Sequence, residues 1–89
     1  MRAVITVIGK DTVGILAKVC TVCANANVNV TEVTQTIQQD LFVMIMMVDM
    51  DKATIPFTEL QSQLDKLGEQ MGLKILAIHE EIFNAMHRI

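Results

Sequence analysis

Aromatic residues are scarce in this sequence, which has no tryptophan, no tyrosine and three phenylalanines among 89 residues. Proteins that bind single-stranded nucleic acids stack the bases on aromatic side chains, and nucleic-acid-binding surfaces in general are basic. This chain has a formal net charge of −3 at pH 7. The composition therefore argues against a nucleic acid as partner.

Long hydrophobic runs are also absent. The longest runs from Leu41 to Val48, whereas a membrane-spanning helix needs about 20 apolar residues. A strand-like pattern starts at Arg2 and leaves no room for a signal peptide. We therefore expect a cytoplasmic protein with no membrane partner, and in that compartment a structural disulfide is not expected.

Aliphatic and methionine side chains are abundant. Hydrophobic residues make up 52% of the sequence, and seven residues are methionine. A chain of this length forms one domain, and so high an apolar content predicts that apolar surface stays uncovered after a single copy has folded. A second copy in a homodimer is the expected cover.

The periodicity of the apolar residues predicts four strands and two main helices in the order β-α-β-β-α-β. The predicted strands cover residues 2–8, 28–39, 41–48 and 73–80, and the predicted helices cover about 13–26 and 54–72, with a short tail helix over about 81–89. Two crossovers and a central hairpin at Gln39-Asp40 give a ferredoxin-like α+β domain spanning residues 1–89. We expect a four-stranded antiparallel sheet with two helices on one face.

Two of the strands have informative patterns. In the second, Val30 and Val33 have opposite parity, which predicts a bulge or kink between them. The third, L-F-V-M-I-M-M-V, lacks alternation and is expected to be buried on both faces. The sheet face without helices therefore needs a cover, which a homodimer partner or the tail helix would provide.

The first loop, I-G-K-D-T-V-G-I over residues 8–15, is the strongest local signal. Gly9 lets the chain leave the first strand, and Asp11 or Thr12 can cap the following helix. Gly14 removes a side chain from the first turn, where free N–H groups favour an anion. The same residues also suit an ordinary capped turn, and the loop alone favours that simpler interpretation.

Residues that could support other chemistry are few. Cys20 and Cys23 have C-x-x-C spacing but lie two turns into a predicted helix, so we interpret them as buried apolar side chains that bind no metal. His79 and His87 are expected at the surface or at an interface. No catalytic triad, phosphate loop or dinucleotide fingerprint is present. We expect no enzymatic activity and no cofactor.

The fold order and the first loop together resemble the ACT domain, a small ligand-sensing module of amino-acid metabolism. The matching residues form a G-x-D-x-x-G-I pattern from Gly9 to Ile15, followed by Asn29-Val30 at the start of the second strand. The whole chain is covered, so it looks like a stand-alone ACT protein. The tail over residues 82–86 is similar to that of a single-domain family, and the glycine-cleavage repressor group is more distantly similar.

The resemblance implies a function and a site. ACT dimers bind a free amino acid or a similar small molecule at the subunit interface, so Asp11 and Asn29 would bind the ligand's amino or polar group. The backbone around Val13, Gly14 and Ile15 would bind its carboxylate. Val13 stands where many members have proline. The implied function is a regulatory domain that signals ligand occupancy allosterically to a metabolic enzyme or regulator; the alternative is a ligand-free dimerisation module that binds a protein.

Overall fold

The computed structural model describes residues 1–86. Its strands are β1 (Arg2–Lys10), β2 (Asn29–Gln38), β3 (Leu41–Asp49) and β4 (Leu73–His79), and its helices are α1 (Ile15–Asn25), α2 (Phe57–Met71) and α3 (Glu80–Met86). The strands form one sheet in the order β2-β3-β1-β4, and every neighbouring pair is antiparallel. The predicted ferredoxin-like order is confirmed. The predicted tail helix corresponds to α3, and its last three residues, His87 among them, lie outside the described range.

The hydrophobic core lies between α1, α2 and one face of the sheet. On β1 this face carries Ala3, Ile5 and Val7, all fully buried, and on β3 it carries the even-numbered residues from Phe42 to Val48. Burial of each large apolar side chain contributes about 1.5–3 kcal/mol before the entropy of folding is subtracted. Within residues 1–86 no helix has the length and apolarity needed to cross a bilayer.

A bulge in β2 accounts for the change of parity along that strand. Val30 pairs with Val48 and Glu32 pairs with Met47, so Thr31 is the extra residue. Its hydroxyl donates a hydrogen bond of 3.1 Å to the carbonyl oxygen of Met47. Val30 and Val33 consequently face the same side of the sheet, and the predicted kink between them is confirmed.

Two expectations for the strands need correction. β1 continues through Gly9 to Lys10, so Gly9 does not end the strand. Its lack of a side chain instead allows close packing, because a Cβ at Gly9 would lie 2.6 Å from Leu73 Cδ2. β3 is buried on one face only: Val43, Ile45 and Met47 are half-buried, and Leu41 is 47% exposed. A single copy does not bury both faces of this strand.

The chain reverses direction at residues with left-handed backbone. Gln39, in the hairpin between β2 and β3, has φ 56°, and Gly72, which ends α2, has φ 69°. Both positions were predicted as turn or cap residues. Asn27 has φ 56° after the end of α1, and its side-chain amide donates a 2.8 Å hydrogen bond to the carbonyl of Lys52.

Candidate functional site

The first loop leads into α1 without a side-chain cap. The N-cap residue is Gly14, with φ 89° and ψ 9°, and no side chain accepts a hydrogen bond from the first turn. The predicted capping by Asp11 or Thr12 is therefore wrong. The helix begins after Gly14, so both residues precede the N-cap position from which a side chain reaches the N2 or N3 amide.

Gly14 is required for its backbone conformation rather than for clearance. A Cβ placed there would meet only Lys18 Cε, at 3.9 Å, so the surrounding space is open. The positive φ, in contrast, is strained for any residue with a side chain. The Gly14 carbonyl accepts a 2.9 Å hydrogen bond from the Lys18 amide, while the amides of the first turn point out of the helix end, where a partial positive charge favours an anion.

The side chains around this helix end differ in exposure. Asp11 is exposed, Val13 is 93% exposed, and Ile15 is buried at 2% and anchors the helix in the core. The Asp11 amide donates a 2.7 Å hydrogen bond to the carbonyl of Asp40 in the β2–β3 hairpin. The structure thus brings together Asp11, Val13, Gly14 and Ile15, and joins their loop to the hairpin.

Asn29 lies at the other end of the sheet. It pairs with Asp49, which pairs with Arg2 at the start of β1, whereas the loop follows Lys10 at the end of β1. The strand is nine residues long, so its ends lie roughly 26 Å apart at about 3.3 Å per residue. Within one copy, Asn29 and the loop do not form a common site.

Asn29 lines a cavity of about 460 Å³ whose wall includes Asn27, Asp49, Asp51 and Lys52. The Asp49 carboxylate accepts a 2.8 Å hydrogen bond from the Asp51 amide. The Asp51 carboxylate in turn pairs with the Met1 ammonium. Their hydrogen bond raises the pKa of the Met1 ammonium and lowers the pKa of the Asp51 carboxyl. The sequence indicated only a charged loop here, because the approach of Met1 depends on the pairing of β1 with β3.

The sequence matches a family model described as the ACT domain over residues 2–77, most of the chain. The chain belongs to the ACT domain family. A UPF0237 protein of Methanococcus maripaludis is 50% identical to this ACT domain over 88 residues, which cover 99% of this chain and 98% of that protein.

Solved structures agree with this assignment. An ACT domain protein from Streptococcus pneumoniae superimposes with a TM-score of 0.80 at 34% identity and 93% coverage of both chains. A structure described as a glycine cleavage system transcriptional repressor has a TM-score of 0.72 at 24% identity, over 85% of this chain and 43% of that one. At 24% identity, the match to the repressor shows a similarity of fold alone. The predicted similarity to both groups is confirmed.

The two cysteines of this ACT domain differ in environment. Cys23 is 1% exposed within the core, and Cys20 is half-buried beside it, as the helical pattern predicted. Burial, with a smaller effect of Cys20, raises the pKa of the Cys23 thiol to about 11. A thiol that keeps its proton at neutral pH is a poor metal ligand and a poor nucleophile. In residues 1–86 no three His, Cys, Asp or Glu side chains form a group that could hold a metal ion.

His79 lies at the end of β4 and is exposed, as predicted. Its ring packs on that of Phe57, with centroids 4.8 Å apart and planes inclined by 50°. Beside it, Arg2 Nε lies 2.6 Å from Glu80 Oε2, an ion pair that joins β1 to the start of α3. These contacts fix the strand end against α2 and α3, which is a structural role.

Proposed function

We propose that this ACT domain is a small-molecule-sensing regulatory domain whose ligand is an amino acid. It acts as a homodimer in the cytoplasm and passes ligand occupancy to a metabolic enzyme or regulator. Its role is regulatory rather than catalytic and needs no cofactor. The observation that carries this proposal is the start of α1, which Gly14 opens with a left-handed backbone and no side-chain cap.

The chemistry of this helix end suits a zwitterion. Amides at the start of α1, around Val13, Gly14 and Ile15, supply donors for a carboxylate, and the helix dipole adds attraction for negative charge. The exposed Asp11 carboxylate lies in the same loop and is available to an ammonium group. Both charges of an amino acid would therefore have partners within a few residues of the chain.

Asn29 contributes to this site only if a second copy supplies it. The loop and Asn29 lie at opposite ends of the sheet in one copy, roughly 26 Å apart at about 3.3 Å per residue. A two-fold axis that reverses the strand direction would place the loop end of one copy beside the Asn29 end of the other. The proposed site is thus shared between subunits, and the dimer has two of them.

A thermal-shift screen of the twenty amino acids tests the proposal. A ligand at a hundred times its dissociation constant stabilises a fold that alone binds it by about 2.7 kcal/mol. For a domain of this size that corresponds to a rise in Tm of roughly 10–20 °C, since each kcal/mol is worth about 4–8 °C. Asp11→Ala and Asn29→Ala should each reduce the shift and leave the dimer intact.

Asp65→Ala is the matched control, because Asp65 is an exposed carboxylate on α2 and belongs to neither the loop nor the Asn29 end. It should leave the shift unchanged. No shift with any amino acid at millimolar concentration would contradict the sensor and favour the ligand-free interaction module. A thermal shift that survives both site substitutions would support the sensor function and contradict the proposed position of the site.

A further inference from the structure

The sheet face opposite α1 and α2 is covered at one end only. On β1 this face carries Val4, which is fully buried although it lies outside the core cluster, and Ile8, which is 45% exposed. On β4 the neighbouring residues follow the same gradient, with Ile78 half-buried and Leu76 48% exposed. Something therefore covers the Val4 end and leaves the loop end bare.

The cover at the Val4 end is α3. This helix packs against β1 and β4, the two strands that carry the gradient, and the ion pair between Arg2 and Glu80 fixes its start. It has seven residues, so it is about 10 Å long at about 1.5 Å per residue. β1, with nine residues, runs roughly 26 Å at about 3.3 Å per residue. One α3 can therefore cover less than half of the length of β1.

Two apolar surfaces remain. The first, which we call the bare half, consists of Ile8, Leu76 and Leu41, exposed by 45%, 48% and 47%. The second is the outer side of α3, where Ile82 and Met86 are 51% and 68% exposed. These two residues are four apart and so project from one side of the helix. Exposed apolar surface of this kind is costly in water unless a partner covers it.

A second copy of this chain fits both surfaces at once. A two-fold axis across the strands reverses their direction but keeps β1 and β4 opposite their own counterparts. The α3 of the partner then falls on the bare half, over Ile8 and Leu76. Two such helices span about 20 Å at about 1.5 Å per residue and nearly fill the length of the face. The β2 residues on this face are polar (Glu32, Thr34, Thr36, Gln38), so the contact is centred on the other strands.

The charges on the face favour the same arrangement. The bare half is flanked by Lys10 and Lys74. The α3 end carries Glu32, Asp49 and Glu81, and its one arginine, Arg2, is already paired with Glu80. An axis that exchanges the two ends brings lysines opposite carboxylates. An axis along the strands would instead bring like charges together, which disfavours association.

We propose that two copies of this chain associate through the bare half of the sheet and α3, each copy's α3 packing on Ile8 and Leu76 of the other. The proposal rests on the dimer of the proposed function and specifies its surface. It assigns α3 a second role, since one side of the helix covers its own sheet and the outer side covers that of the partner.

Sedimentation equilibrium of three glutamate variants tests this surface. Leu76→Glu and Ile82→Glu each place a charge in the proposed contact and should raise the dimer dissociation constant roughly thirtyfold or more. Ile37→Glu is the matched control, because Ile37 is 51% exposed on β2 but faces the helix side of the sheet. It should leave the dissociation constant unchanged. All three positions are exposed in one copy, so thermal unfolding should show each variant folded.

A charge exchange provides the second measurement. Lys74→Glu and Glu81→Lys should each weaken the dimer, and the double variant should recover most of the loss if the ends are exchanged across the axis. A dimer that is sensitive to Ile37→Glu and insensitive to the other two glutamates would overturn the proposal and place the contact at the β2 edge, while the sensor function would stand. A wild-type chain that is monomeric at micromolar concentration would contradict both the proposed dimer and the proposed contact surface.

Discussion

The amide of Asp11 donates a 2.7 Å hydrogen bond to the carbonyl oxygen of Asp40, so the loop before α1 and the hairpin between β2 and β3 are joined through their main chains. The bond extends the pairing of β1 with β3 by one residue beyond Lys10 and Leu41. Any change of loop conformation on ligand binding must therefore either carry the hairpin with it or break this bond.

Hydrogen exchange should reveal this connection. We expect the Asp11 amide to exchange more slowly than a free loop amide, because its proton is held by the Asp40 carbonyl. An amino acid bound at the start of α1 should slow exchange in the loop and in the hairpin together. Amides in the last turn of α2 serve as the internal control and should not change. Free-peptide exchange at Asp11 would contradict the bond.

The backbone of Leu73 is packed against a glycine of α2. A Cβ at Gly68 would lie 2.7 Å from the Leu73 carbonyl oxygen. Because that oxygen belongs to the main chain of β4, it cannot move aside as a flexible side chain can. We expect Gly68→Ala to lower the free energy of unfolding by about 1–3 kcal/mol through overpacking, although alanine is favoured over glycine in an exposed helix by about 1 kcal/mol.

Gly72→Ala is the matched control for this prediction. Nothing lies within 4 Å of a Cβ at Gly72, but its φ of 69° disfavours alanine. Its cost should be about 1–2 kcal/mol from backbone strain alone. Chemical denaturation measures both variants. A Gly68→Ala protein as stable as the wild type would show that α2 and β4 can separate more easily than this contact indicates.

The strands and the bulge could be predicted from the sequence because apolar residues recur with a regular spacing where one face of an element is buried. The parity change between Val30 and Val33 could be interpreted without a structure, since both residues are apolar and a bulge lets both face the helix side of the sheet. The conformation at the start of α1 could not be predicted from the sequence pattern. Val13 is apolar and continues the helical pattern, yet it is 93% exposed, and a left-handed Gly14 leaves no periodic signal.

The site was harder to predict than the fold for a topological reason. Asp11 and Asn29 are 18 positions apart, and α1 carries the chain back along the length of the sheet between them. The two residues are therefore near in sequence but far apart in space. For the sheet face over Val4 the sequence predicted a cover by either the tail helix or a partner. It could not choose between them, because the burial of Val4 depends on α3 folding back on β1 and β4.

The buried thiol of Cys23 should make stability depend on pH in alkaline solution. The pKa of this thiol is raised from 9.0 to about 11 by burial, so the folded state retains a proton that the unfolded state loses. Its contribution is fully present below pH 9 and is lost as the pH rises to 11. The loss should approach about 2 kcal/mol, since each pKa unit is worth about 1.4 kcal/mol.

Denaturation of the wild type and of Cys23→Ala at several pH values isolates this contribution. The stability advantage of the wild type over the variant should shrink between pH 9 and pH 11. Lysine titrations are cancelled in the difference because both proteins have the same lysines. Alkylation gives an independent check: Cys20, which is half-buried, should react faster than Cys23 at pH 8. A difference that is constant with pH would contradict the raised pKa.

Mixed dimers of two defective variants test whether the ligand site is shared between subunits. Asp11 and Asn29 lie at opposite ends of one copy, so each proposed site takes Asp11 from one subunit and Asn29 from the other. Asp11→Ala and Asn29→Ala homodimers should each bind the amino acid poorly. Their heterodimer has one site with both substitutions and one with neither. After equal amounts exchange subunits, about a quarter of the wild-type number of sites should recover wild-type affinity.

Titration calorimetry of the mixture measures both the number of sites and their affinity. Two Asp11→Ala preparations mixed in the same way are the control and should recover nothing. If the mixture also recovers nothing while subunit exchange is complete, Asp11 and Asn29 do not act in one shared site. Recovery in the mixture together with full binding by the Asn29→Ala homodimer would place the whole site in the loop of one subunit.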